Sequence, residues 1–229
     1  MVTEPTWEAM LLEDVEPNIE YKGAAPWRLP EASGGSGVLI RTNKGTIKSL
    51  YHKAEGANKA VMWVAGAMGG YNGGGGLYPI LADELTGSNI SSLRLNYRKP
   101  SEFTDSVLDI IAGVSFLKEQ GIERIALVGH SFGGAVIVAA APLCDSVVTL
   151  ICLASQSYGG QYADMIEPRS ILLVHGEDDT RLGPHCSQFI FDKALDPKKL
   201  VLLPGAGHSL REARDELHPL MKDWLIDNL

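Results

Sequence analysis

Short, mostly apolar runs that recur along the chain constrain its fold more than any other feature. AVMWVA at 60–65, SSLRLNY at 91–97, the run at 124–129, VVTLICLA at 147–154, SILLVH at 170–175 and KLVLL at 199–203 read as strands. A strand with one wet face alternates apolar and polar residues, whereas most of these offer apolar side chains to both sides and need cover on both. Stretches of helical spacing alternate with them: 77–85, the set Val107, Ile110, Ile111, Val114 and Leu117, then 135–141, 184–195 and 210–227. That alternation predicts the α/β class, a doubly wound, mostly parallel sheet with helices on both faces. Upstream, GVLIRTNKGTIKSLYHK reads as two strands around the turn Asn43-Lys44-Gly45.

The chain ahead of this pattern differs. Residues 1–36 hold Pro5, Pro17, Pro26 and Pro30, end in SGGS and show no sustained period, so they read as an irregular arm, with 37–229 as one domain. Trp7 and Trp27 suggest that the arm packs against something. A length of 229 residues is ample for a single buried core, and 45% hydrophobic with 21% charged residues excludes a disordered or fibrous chain. The net charge of −8 repels a phosphate backbone, so nucleic acid is not expected as a partner. Cys144, Cys152 and Cys186 are odd in number and lack metal-ligand spacing, which points to reduced thiols and a cytoplasmic location. No basic residue precedes Lys22, the opposite of an export leader. The least polar stretch, 132–144, is too short to span a bilayer and contains Pro142, so no membrane partner is expected.

Chemistry concentrates at strand ends, where open α/β sheets bind ligands. Gly129-His130-Ser131-Phe132-Gly133 is a G-x-S-x-G with a strand before it and an apolar helical run after it, the setting of a strained elbow that lifts a serine hydroxyl above the sheet edge. A serine hydroxyl is a poor nucleophile until a base takes its proton and a carboxylate orients that base. The strand at 170–175 runs into Glu177, Asp178 and Asp179, and the strand at 199–203 leads to His208, in the order serine, acid, histidine. The glycines at 69, 70 and 73–76 lack the lysine that a phosphate-cradling loop requires.

These segments resemble the α/β-hydrolase superfamily over roughly residues 37–229, in a compact layout similar to that of dienelactone hydrolases. GHSFGG resembles the nucleophile elbow, HGEDDTRLGP the acid-bearing turn and GAGHSL the histidine loop. The resemblance implies that Asp179 is the acid, three residues after Gly176, and that neither a cofactor nor a metal takes part. It also implies an oxyanion hole from the backbone N–H groups of Phe132 and Ala67, with Met68 the nearest alternative to Ala67. Ala65-Gly66 stands where the family often has His-Gly, and Ser131 stands where dienelactone hydrolases have cysteine, so their specific activity is not implied.

Further expectations concern the surroundings. Arg98 is expected to tie down loop carbonyls. Tyr71, Tyr78, Tyr158 and Tyr162 read as loop residues that could line a pocket, with Met68, Tyr71 and Tyr158 as the substrate-binding candidates. His52, His185 and His218 are expected on the surface. Capped relatives insert a helical lid after the strand at 147–154, but the stretch 155–169 is too short for one, so the cleft should be shallow and open and carry no large cap domain. The expected activity is hydrolysis of a small-molecule carboxylic ester or thioester through a covalent acyl-enzyme. The alternatives are a non-catalytic ligand-binding protein of the same fold, and an amidase or peptidase using the same residues.

Overall fold

The computed structural model describes residues 19–28 and 34–229. Its sheet contains β1 (Tyr21–Trp27), β2 (Ser36–Thr42), β3 (Gly45–His52), β4 (Lys59–Val64), β5 (Ile90–Asn96), β6 (Arg124–His130), β7 (Val147–Leu153), β8 (Ser170–Gly176) and β9 (Lys198–Leu203), in spatial order β1-β2-β3-β5-β4-β6-β7-β8-β9. From β5 across to β9 every neighbouring pair is parallel, while β1, β2 and β3 add antiparallel strands at one side.

The two-sided apolar strands explain the layers. β4 sends Ala60, Met62 and Val64 to one face and Val61 and Trp63 to the other; β8 sends Ile171 and Leu173 one way and Leu172 and Val174 the other. Helices α2 (Phe103–Glu119), α3 (Phe132–Ala140) and α4 (His185–Lys193) cover the first face, and α1 (Tyr78–Glu84) and α5 (Arg214–Asn228) the second. Fully burying a side chain the size of Leu172 or Ile171 contributes about 1.5–3 kcal/mol, so the central strands hold the fold and the edge strands follow. Between β7 and β8 the chain forms only a short 3-10 helix, Gly160–Ile166, and among the described residues no large cap covers the sheet.

The expectation of an irregular arm is corrected over part of its length. Tyr21–Trp27 is a strand that pairs antiparallel with β2, its residues alternating half-buried and exposed. Its signal is faint because Gly23, Ala24 and Ala25 are small and Pro26 argues against a ladder position. Pro26 is tolerated because β1 is an edge strand, where a missing N–H costs no ladder bond. Trp27 does pack, with its ring 5.4 Å from Lys48 Nζ. Trp7 lies outside the described residues.

Arg98, just after β5, ties down loops as expected. Its Nη1 donates to the Lys44 carbonyl at 2.8 Å and its Nη2 to the Asp105 carbonyl at 3.4 Å. Its counter-charge, Asp109 on α2, is fully buried and accepts from both the Arg98 Nε and the Arg98 backbone N–H. Removing one partner of a buried pair strands the other charge, so Asp109→Ala should cost about 3–5 kcal/mol in urea unfolding. A loss below about 1 kcal/mol would contradict this account of the loop anchor.

Candidate active site

The path of the chain creates the crevice. After β4 the chain returns through β5 on one side, and after β5 it crosses to β6 on the other, so the segments that follow β4 and β6 diverge above the parallel strands. Gly66 and Ala67 leave β4 there, and Ser131 leaves β6.

Ser131 sits in a strained turn at φ 57°, ψ −116°, a region costing on the order of 1–3 kcal/mol for a residue with a side chain. Its surroundings over-determine it. The Ser131 N–H donates to the Leu153 carbonyl at 2.8 Å, and the Gly134 N–H donates to the Ser131 carbonyl at 3.0 Å. A Cβ on Gly133 would stand 2.4 Å from the Ala65 carbonyl oxygen, and one on Gly129 would stand 2.3 Å from the Gly133 oxygen, so neither position admits a side chain.

The three residues named from the sequence come together. His208 Nε2 lies 3.0 Å from Ser131 Oγ, and His208 Nδ1 lies 2.7 Å from Asp179 Oδ2. Asp179 is only 5% exposed, and its Oδ1 accepts the backbone N–H groups of Arg181 and Leu182, each at 2.9 Å. Burial opposes its ionisation, but those N–H groups and His208 together hold its pKa below the ordinary carboxylate value. Glu177 and Asp178 point into solvent. With Asp179 ionised, His208 keeps its proton on Nδ1 and turns Nε2 towards the serine.

Ser131 opens onto a cleft of about 370 Å³ lined by Gly66, Ala67, Met68, Gln156, Arg181 and His208 among others. Gly66 approaches closely, since a Cβ there would stand 3.5 Å from Ser131 Cβ. Ala67 lines this cleft, whereas Phe132, the first residue of α3, is buried and is not among the lining residues. The Ala67 carbonyl is held from behind by Ser101 Oγ at 2.9 Å, and the Gly70 N–H by Asn96 Oδ1 at 2.8 Å.

Several neighbours differ from expectation. Met68 lines the cleft but is 91% exposed, at its rim. Tyr71 and Tyr158 are not among the lining residues: Tyr71 is half-buried against Asn96 and Arg94, and Tyr158 packs edge-on against Phe103 with ring centroids 4.7 Å apart. Tyr78 opens α1, fully buried beside Trp63, and donates to the Val64 carbonyl at 3.2 Å; Tyr162 is buried too. His52 is not a surface residue. Its Nδ1 lies 2.6 Å from Asp83 Oδ1, and its Nε2 accepts from Arg94 Nε at 3.2 Å. A lone arginine inside the run SSLRLNY was the available cue, because a buried guanidinium must find partners. His185 is exposed and His218, on α5, meets Glu84 at 3.1 Å. Two further histidines support the site without a sequence signal for it: His130, whose Nε2–H donates to the His208 carbonyl at 2.8 Å, and His175 beside Asp179. Among the described residues no three His, Cys, Asp or Glu side chains converge to hold a metal ion. No described helix is long and apolar enough to cross a membrane.

No protein-family model matches the chain. The Escherichia coli O157:H7 protein named uncharacterized protein YfhR is 27% identical over an alignment covering 46% of this chain and 44% of that protein, so the match spans less than half of the relative. Dienelactone hydrolase from Anabaena variabilis superposes with a TM-score of 0.75 at 15% identity, covering 90% of this chain and 99% of its own. Est1E from Butyrivibrio proteoclasticus gives 0.73 at 15% identity, with coverages of 83% and 98%. An alpha-beta serine hydrolase homologue from Coxiella burnetii gives 0.70 at 19% identity, with coverages of 87% and 99%. These likenesses show the fold: the chain has the α/β-hydrolase fold.

The histidines around the site set an acid limit on the fold. Burial is the main cause that lowers the pKa of His130, to about 4, and it also lowers those of His52 and His175. A histidine depressed in the folded state contributes stability above its unfolded pKa of about 6.5 and loses it as pH falls towards the folded value. His130 alone should therefore cost up to about 2 kcal/mol between pH 7 and pH 5. Urea midpoints should fall over that window, and equal midpoints would contradict the buried neutral histidines.

Proposed function

We propose that the protein is a serine hydrolase that cleaves a small carboxylic ester or thioester through a covalent acyl-enzyme. The observation that carries this reading is the continuous relay from Ser131 Oγ through His208 to Asp179, at 3.0 Å and 2.7 Å, opening onto the cleft. In this reading His208 Nε2 takes the hydroxyl proton as Ser131 Oγ attacks the carbonyl carbon, and Asp179 stabilises the resulting imidazolium. The oxyanion accepts the N–H groups of Phe132 and Ala67. Collapse of the tetrahedral intermediate expels the alcohol or thiol, which takes its proton from His208. A water, deprotonated by the same histidine, then attacks the acyl carbon, and release of the acid restores Ser131. The names of the structural neighbours, an esterase domain and a dienelactone hydrolase among them, are consistent with ester chemistry. An open cleft without a large cap suits a short acyl group, since each methylene left in water forgoes about 0.8 kcal/mol of binding.

Ser131→Ala should abolish turnover of an activated short-chain ester while leaving the thermal midpoint near that of the parent, because single losses of such a nucleophile cost on the order of 10⁴–10⁶ in rate. Asp179→Asn should damage the rate far more than Asp178→Asn. Retention of more than about a tenth of the parental rate by the alanine variant would sink the proposal.

A further inference from the structure

Asp179 is held by two imidazoles, of which the relay uses one. His175, the penultimate residue of β8, is fully buried and points its ring at the same carboxylate oxygen that His208 meets. Its Nε2 lies 2.8 Å from the Leu182 carbonyl oxygen and 3.2 Å from Asp179 Oδ2, and both can only accept, so the ring proton sits on Nε2. Its Nδ1 then accepts the hydroxyl of Ser187, 2.6 Å away on α4. The tautomer is thus fixed from both sides, and burial keeps the ring neutral.

The carboxylate is correspondingly full. Oδ1 accepts two backbone N–H groups, and Oδ2 accepts His208 Nδ1–H together with the longer arm of the single His175 Nε2–H, whose shorter arm goes to the Leu182 carbonyl, so that all of the roughly four lone-pair positions of an ionised carboxylate are met. We infer that His175 is a positioning residue for the proposed hydrolysis, holding Asp179 Oδ2 with a second imidazole N–H so that its charge and orientation are shared between His175 and His208. The inference rests on the roles proposed above for Ser131, His208 and Asp179. His175 keeps its proton throughout; what it changes is the potential that Asp179 exerts on His208. Without that N–H, Oδ2 presents more negative charge to His208 alone, the imidazolium is favoured, and His208 becomes a usable base only at higher pH. Of the other titratable and charged groups, His130 faces this pair from the end of β6, its ring 5.1 Å from that of His208, and Arg181 from the acid turn lines the same cleft; Glu177 and Asp178 adjoin Asp179 but are exposed, and Glu212 accepts the Gly207 N–H beside His208.

The test compares His175→Leu, which cannot donate, with His175→Gln, whose amide N–H can, by pH profiles of kcat/KM on an activated short-chain ester. The leucine variant should lose about tenfold or more in kcat with KM little changed, and its acid limb should move up by about half a pH unit or more. The glutamine variant should stay within about threefold of the parent. A structural role alone would lower the thermal midpoint of both without moving the acid limb. A leucine variant with the parental profile, or a glutamine variant as shifted as leucine, overturns the role of His175. Asp179→Asn, run alongside, separates the two claims: full activity there overturns the relay and this inference together, whereas its loss beside a parental leucine profile overturns only this inference. Should the leucine variant not fold, ¹⁵N NMR of the parent decides. His175 must remain the Nε2–H tautomer, with that proton's resonance moving as His208 titrates; the other tautomer or an unresponsive resonance overturns the role.

Discussion

The backbone contact between the start of α3 and the end of β4 governs the site. Gly133 lies so close to the Ala65 carbonyl that no side chain fits between them, and Gly129 meets the Gly133 carbonyl as closely. This approach holds Ser131 in a conformation that a free chain would rarely adopt, and it brings Ser131 and the segment containing Ala67 to one crevice. Strain at one residue is tolerable because the packed sheet on both sides of β4 and β6 is far larger in energy than the on-the-order-of 1–3 kcal/mol the turn costs.

Around this contact several buried charged groups are provided with partners, as burial in an apolar interior requires. Arg98 and Asp109 fix the segment after β5. Arg94, His52 and Asp83 link β5, β3 and α1, and Arg94 also reaches the Tyr71 carbonyl at 3.4 Å in the loop that follows β4. Asn96 and Ser101 hold that loop nearer the cleft. The loop after β4 is therefore rich in glycine yet anchored at several points, a combination that lets backbone approach the serine without leaving it free to wander.

The sequence made some of this readable for physical reasons that can be named. Two-sided apolar strands have one stable arrangement, and the glycines of GHSFGG are forced by the close backbone contact. An acid and His208 at these strand ends follow from strand order, since β8 and β9 end at the same sheet edge as β6, while the choice of Asp179 over Glu177 and Asp178 came from the family resemblance. β1 was illegible because an edge strand of small residues with Pro26 carries no two-sided signal. The burial of His52, the place of Tyr78 and the bonds of His175 depend on contacts between residues far apart in the chain or on the direction of a ring, and neither periodicity nor a motif reports those. Tyr71 and Tyr158 stand on loops that sequence alone associates with the cleft, but neither lines it: Tyr71 lies against Asn96 and Arg94, and Tyr158, largely exposed, meets Phe103.

The central claim is that Ser131 is an activated nucleophile because His208 and Asp179 make it one. Treating the protein with a fluorophosphonate and reading intact mass followed by peptide mapping addresses it directly. The account predicts a single adduct, on Ser131, whose formation is slowed by orders of magnitude in His208→Ala. An absent adduct, an adduct on another residue, or equal labelling in the histidine variant would contradict it.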